Sequence, residues 1–424
     1  MFNTGIDNIT NNVNFDSSIN RFFNEFDISR LLHNSNARKT NGVSESELFK
    51  YWFSNVFKGS SMYMQIVNKT FNEDFSKNSL YRFVNNEKIN WKKFISSISK
   101  TVINNEIEYL TSSSNKKCYV LDDTTIEKNR SKKTELQARV FDHTQKSFKT
   151  GFKLLTLGYS DGHSFIPAGY NVHSSSSPKN ILCPAKKCDK RSLAFKRRED
   201  AIKSKIQMAY SLIKKAQNSG IYADIVLFDS WFAVSSLISQ IKNNLNLDVI
   251  CRLKKNKMKF MYDGDKLNIK EIYKIAKKRP GKSKYILSVK AKIKYNDYVL
   301  PVKIVFVKNN STSKKDWIAI LSTDFELSEE EIIKLYSRRW SIEDFFKVCK
   351  SNLKLVNGFK SLSFDALNAH VAIVFTRFIF LSLLKRCSED KRTMGILFNC
   401  VFEELKQRDL YEAITVIMNS VETV

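Results

Sequence analysis

Glycine and proline are scarce in this chain, 12 and 5 of its 424 residues, which excludes collagen-like repeats and flexible linker chains. Acids are short as well. Asp and Glu number 43 against 70 Lys and Arg, leaving a formal charge of +27. A disordered polycation is excluded in turn, because 42% of the residues are apolar and 12% aromatic, enough to build a sizeable core. The seven cysteines are odd in number, and Cys183 and Cys188 have no second Cys or His pair beside them. Neither a disulfide framework nor a structural zinc is therefore expected. No basic segment followed by an apolar run opens the sequence, so no signal peptide is expected. The longest apolar stretch, Ala366 to Leu384, contains Asn368, His370 and Arg377 and reads as a buried helix rather than a membrane span. The expectation is a soluble, cytoplasmic protein. What remains is a large, folded, basic chain whose natural partner is a polyanion, nucleic acid first. Drift in AT-rich coding DNA also raises Lys, Asn and Ile, but it gives no reason for the acids to lag so far behind.

The chain changes character along its length. The first 40 residues are polar, Asn-rich and studded with aromatics, with a weak core signal. From Glu45 to Ile107 apolar residues such as Leu48, Trp52, Val56 and Phe57 recur at helical spacing. Within this region Ser76 can cap a short helix presenting Lys77 and Arg82 outward. Together with a preceding helix around Ser61 to Val67 it reads either as a helix-turn-helix or as part of an ordinary bundle. From Lys117 the period shortens. Cys118 to Asp123 reads as a strand ending in two acids, and Ser147–Tyr159 and Ser164–Val172 as strands about an Asp161-Gly162 turn. A long basic helix is expected over Arg197–Asn218, a buried strand over Ile221–Asp229 and a helix over Trp231–Asn243. This order predicts an α/β sheet. Leu247 to Ser322 reads as a mostly β insert, and helices follow from a Ser328-to-Glu331 capping box. The expected divisions are 1–110, helical and DNA-binding; 111–246, the first part of the core; 247–324, the insert; 325–385, the second part of the core; and 386–424, a helical tail suited to dimerisation.

Carboxylates at the ends of neighbouring strands converge at one sheet edge, where α/β sites form. Asp122-Asp123 and Asp229 are placed for this, and Glu343 follows on a helix. An all-oxygen set of this kind suits Mg²⁺, with Mn²⁺ as a substitute, and two such ions can act on a phosphodiester. The plainer reading is that Asp123 and Asp229 cap the turns that follow them. On a continuous helix Tyr336, Arg339, Glu343, Lys347 and Lys350 share one face, either a phosphate-binding face or a solvated one laced with weak ion pairs.

Tyr336-x2-Arg339-x3-Glu343-x6-Lys350 resembles the YREK signature of a group of bacterial insertion-sequence transposases with a DDE triad. Leu121-Asp122-Asp123-Thr124-Thr125 is similar to the block of the first Asp, and Leu227-Phe228-Asp229-Ser230-Trp231-Phe232 to that of the second. The resemblance spans about Lys117 to Leu384 and implies a ribonuclease-H-like mixed sheet flanked by helices and interrupted by a β-rich insertion domain. It implies Asp123, Asp229 and Glu343 as ligands of two Mg²⁺, Asp123 being preferred over Asp122 because it precedes the Thr pair. Only one of the two can face the metal, since adjacent strand residues point to opposite sides. It further implies Tyr336, Arg339, Lys347 and Lys350 on DNA phosphates, and Trp317 stacked on a flipped base beside a hairpin intermediate. The alternative for Trp317 is a strand residue in a core. Arg252, Lys254, Lys255 and Lys257 suit a phosphate-tracking rim. The implied activity is cut-and-paste transposition on double-stranded DNA by a homodimer, in a nucleoid-associated bacterial protein. The rivals are a two-metal nuclease that cuts without joining, a DNA-binding descendant of an inactive transposase and a basic RNA-binding structural protein. Neither repeats nor aromatic sheet motifs favour the last.

Overall fold

Among the described residues, eleven strands form one sheet in the computed structural model. It describes residues 18–71, 73–142, 145–280, 283–309, 316–358, 360–387 and 390–421, the side chains of 408–421 excepted. In chain order the strands are β1 (Cys118–Glu127), β2 (Ala138–Asp142), β3 (Ser147–Ser160), β4 (Phe165–His173), β5 (Ile225–Phe228), β6 (Asp248–Leu253), β7 (Lys259–Tyr262), β8 (Asp265–Asn268), β9 (Leu287–Tyr295), β10 (Tyr298–Lys308) and β11 (Trp317–Ser322). They are ordered β2-β3-β1-β5-β6-β11-β10-β9-β7-β8, and β4 also pairs with β3. β3 lies antiparallel to β1, whereas β5 and β6 run parallel to it. An antiparallel β4-β3-β1 meander joined to parallel β5 and β6 is the ribonuclease-H-like arrangement expected from the sequence. The four residues of β5 are all apolar and fully buried, as a central parallel strand covered on both faces requires.

Helices cover both faces. The first six are α1 (Ser18–Glu25), α2 (Ile28–Asn34), α3 (Glu45–Ser54), α4 (Met62–Val67), α5 (Lys77–Val84) and α6 (Trp91–Val102). Then come α7 (Leu193–Ile202), α8 (Lys205–Asn218), α9 (Ser235–Leu245), α10 (Ile269–Ile275), α11 (Glu329–Ser337), α12 (Trp340–Ser351), α13 (Phe364–Cys387) and α14 (Met394–Val421). β4 separates the two layers. The Tyr170 hydroxyl donates to the Asn368 carbonyl of α13 at 2.8 Å, while the neighbouring Gly169 faces Leu212 of α8. α13 is long and apolar enough to cross a membrane, yet 94% of its apolar window is buried inside the protein. Phe380 of α13 packs on Phe22 of α1 and Phe53 of α3, so the N-terminal helices and the sheet share this one core helix.

Four expectations are changed or refined. The early aromatics do enter the core, since Ile19, Phe22, Phe23, Phe26, Leu31 and Leu32 are buried; residues 1–17 lie outside the described chain. The long helix over Arg197–Asn218 is two, because Ser204 caps α8 through a reciprocal box with Gln207 and stops α7. The segment 247–324 carries β6 to β11, and its strands run on from the core sheet. Its first strand, β6, pairs with β5, and β11 pairs with β6, so the later strands extend the core sheet. Finally, residues 68–76 join α4 to α5, longer than the roughly 3–4-residue turn of a helix-turn-helix.

Candidate functional site

Leu121 of β1 stands opposite Phe228 of β5, so Asp122 and Asp229 occupy the next row. Neighbours across parallel strands face the same side, so these two acids share a face and Asp123 turns to the other. β1 continues to Glu127, and the acid pair therefore lies mid-strand, level with the C-terminal end of β5. The Asp229 carboxylate accepts the Trp231 backbone N–H at 2.8 Å, an Asx turn that starts the chain toward α9.

Arg339 joins this face to α12. Its Nη1 lies 3.4 Å from Asp122 Oδ2 and its Nη2 donates to Glu343 Oε1 at 2.6 Å. Burial, then the charges of Asp229 and Asp123, push the Asp122 carboxyl up to about 7. The Asp123 backbone N–H and Arg339 offset only part of this. Burial alone would lower the pKa of Arg339, but Tyr336, Glu343 and Asp122 raise it, so the guanidinium stays charged. Burial pushes the Tyr336 phenol up to about 12. The Arg339 guanidinium lies 5.3 Å from the Trp340 ring and 5.9 Å from that of Tyr336. Trp340 is 60% exposed, an unusual position for so large an apolar ring.

The expected continuous helical face is broken. α11 ends at Ser337 and α12 begins at Trp340, with Arg339 at the position before it, so Tyr336 and Glu343 belong to different helices. Glu343, Lys347 and Lys350 remain on one flank of α12. Lys347 is exposed, and Lys350 is half-buried, its ammonium held below the ordinary value by burial.

Asp123, expected as the first metal ligand, is not brought to this face. It meets Lys205 Nζ at 2.6 Å and Lys153 Nζ at 3.3 Å. Burial would raise its pKa, but the two lysines pull it below the usual carboxylate value. Lys205 also lies 3.5 Å over the Trp231 ring. Burial, then Lys205, lowers the nearby His173 to about 4. Asp123 thus belongs to a charge-compensated cluster behind the site. Lys153 and Lys205 escaped sequence reasoning because only the pairing of β1 with β3 and the seating of α8 bring them there.

Other expected contacts divide. Trp317 is buried, stacked on Tyr273 at 4.5 Å and covered by Lys255, so its ring packs in the sheet extension instead of facing a DNA base. Lys255 also pairs with Asp316 at 2.5 Å. Arg252, Lys254 and Lys257 are exposed along and beyond β6, and Lys77 and Arg82 are exposed on α5.

Among the described residues no three His, Cys, Asp or Glu side chains are gathered closely enough to hold a metal. The donor chemistry nonetheless fits one. Asp122, Asp229 and Glu343 offer only carboxylate oxygens, and Asp122, raised first by burial and then by the charges of Asp229 and Asp123, is only partly offset by Arg339.

No curated protein matches the chain. A family model described as DDE superfamily endonuclease matches residues 60–284, which include Asp122, Asp123 and Asp229 and stop short of Glu343. That match covers more than half of the chain, and the chain belongs to the DDE superfamily endonucleases, whose substrate is DNA.

Proposed function

We propose that this endonuclease is a cut-and-paste transposase of the YREK-signature group, acting on the ends of an insertion sequence. The observation that supports the reading best is the bridging of Asp122 and Glu343 by Arg339, with Asp229 beside Asp122 on the neighbouring strand, next to the lysine-bearing flank of α12. Asp122, Asp229 and Glu343 are the proposed catalytic acids, Asp122 taking the place expected of Asp123. These carboxylates would hold two Mg²⁺, or Mn²⁺. Such ions, when bound, would activate an attacking oxygen and offset charge on the leaving oxygen.

Arg339 keeps Glu343 and Asp122 from repelling each other and offers its charge to an incoming phosphate. Lys347 and Lys350 carry the neighbouring backbone, and Arg252, Lys254 and Lys257, with Lys77 and Arg82, extend the positive track. Exposed Trp340, not buried Trp317, is the aromatic suited to stack on an unpaired base. The proposed reaction begins with water attacking one strand at the element end and releasing a 3′-OH. Attack of this hydroxyl on the opposite strand, reopening by water and attack on target DNA follow, each an in-line displacement at phosphorus. Two copies would bring two ends together, with 386–424 as the proposed contact; many of its side chains lie outside those described.

The test is cleavage of end-bearing duplex with Mg²⁺ present. Asp122→Asn, Asp229→Asn and Glu343→Gln should each abolish cleavage and leave DNA affinity within about twofold. Asp123→Asn should keep measurable cleavage if its protein folds. Loss of activity in Asp123→Asn with Asp122→Asn active would return the first ligand to Asp123, and cleavage surviving all three changes would end the reading. Hydrolysed ends without joined product would reduce it to a nuclease.

A further inference from the structure

Adjoining the lysine-bearing flank of α12, with Lys347 on the boundary, the structure opens a cavity of about 980 Å³. Its walls come from α12, the β3–β4 turn and the α13–α14 corner, and Phe165, Phe345 and Phe378 lie along its floor. Four cations line it: Arg338, Lys347, Lys385 and Arg386. Among the described residues two acids oppose them. Asp344 is exposed at the rim, and Asp390 is forked by Arg392 at 2.8 and 2.9 Å.

Two of the cations are built into the wall. Arg338 donates to the Lys116 carbonyl at 2.6 Å and to Asn115 Oδ1 at 2.9 Å, with its guanidinium against the Gly162 backbone. Gly162 has φ +94°, and a Cβ there would stand 2.8 Å from Arg338 Cζ, so the turn needs glycine for both its backbone and this contact. Arg386 donates to the Leu110 carbonyl at 2.5 Å and lies 3.4 Å from the fully buried Asp161. Its Nε is buried and unpartnered, and so is the hydroxyl of Ser164, a residue only 7% exposed. Two buried groups able to donate and left unmatched in one basic cavity call for an acceptor from outside. A phosphodiester oxygen supplies that acceptor together with the opposite charge.

We propose that this cavity holds the DNA strand adjoining the scissile phosphate, with Lys385, Arg386 and Ser164 on its phosphates. The proposal rests on the endonuclease site described above. Lys347 connects the two, because it lines the cavity and stands one turn beyond Glu343 on α12. A strand leaving the acids along α12 therefore enters the cavity directly.

The experiment measures anisotropy of labelled DNA in metal-free buffer, so that binding is read without cleavage. The probes are an element-end duplex whose strand stops at the cut and duplexes extended by several nucleotides on either side. One extension should tighten binding to the native protein. Lys385→Ala should remove roughly three- to tenfold of that gain, leave the truncated duplex unchanged and lower the salt slope for extended DNA by about one. Ser164→Ala should reduce the same gain without changing the slope. Iodouracil placed in the extension should crosslink to the peptide around 160–165. Equal binding of extended and truncated DNA by the native protein, or an equal effect of Lys385→Ala on both, would overturn the proposal. Full displacement of the extension by a deoxynucleoside monophosphate would overturn it in favour of a free-nucleotide site. Failure of Glu343→Gln to stop cleavage would count against the catalytic acids and leave this metal-free readout standing.

Discussion

Asp122 and Asp123 are adjacent and chemically identical, yet their carboxyls shift in opposite directions. Asp122 shares a buried face with Asp229 and rises to about 7, whereas Asp123 meets two lysines and falls. The alternation of a strand guarantees that the two differ, but it does not say which one faces Glu343. The pairing of β1 with β5 puts Asp122 beside Asp229, and Arg339 ties that same acid to Glu343. His370 shows another single-residue effect. Its Nε2 lies 3.2 Å from the Lys354 carbonyl and 3.1 Å from that of Leu355. Burial, then Arg377, holds the imidazole pKa well below its ordinary 6.5. The folded chain thus keeps His370 neutral where the unfolded chain takes up a proton, and this contribution is present above about pH 6.5 and lost as pH falls below it. His370→Gln should be about 1 kcal/mol less stable than the native chain at pH 7.5 in urea titrations, and the gap should narrow at pH 5. A gap independent of pH would show that His370 does not carry this effect.

At the scale of elements, α13 is held in place by a buried charge. Arg377 donates to the Phe53 carbonyl at 2.9 Å, to that of Leu353 at 3.1 Å and to that of Trp52. One guanidinium thereby ties the end of α3 and the turn after α12 to the core helix. Burial lowers its pKa to about 9. Arg377→Met would leave three carbonyls without this donor and should lower stability by about 3 kcal/mol or more, read from the urea midpoint. An unchanged midpoint would mean that water or a neighbouring donor takes over. In the sequence Arg377 argued only against a membrane span; its partners are more than 300 residues away for α3 and could not be inferred. Helix ends were legible where a side chain caps them. Ser328 and Glu331 form the expected box, and Ser204 with Gln207 announces the break that the periodicity concealed. The break between α11 and α12 has no Gly or Pro to mark it. Arg338 is drawn instead to Lys116 and Asn115, contacts that exist only in the folded chain.

For the whole molecule, the continuous sheet matters most. β11 joins β6 over Ala319–Ser322, so the strands read as an insert share backbone hydrogen bonds with the core. Native-state hydrogen exchange should therefore find β6 and β11 opening with free energies within about 1 kcal/mol of β1. Independent, easier opening of residues 287–322 would show a separately folding unit. The same continuity carries Arg252 and the exposed lysines after it on the frame that carries Asp229.

The sequence by itself determined the sheet class, the positive charge, the capped helix starts and the set of acids from which a site could be drawn. These depend on local pattern, composition and residue type, which need no knowledge of distant neighbours. Tertiary structure alone decided that Asp122 rather than Asp123 faces Glu343, that Trp317 is packed away while Trp340 is exposed, and that Ser164 and Arg386 line one cavity. Strand register and helix seating set these outcomes, and both arise from contacts between segments far apart in the chain.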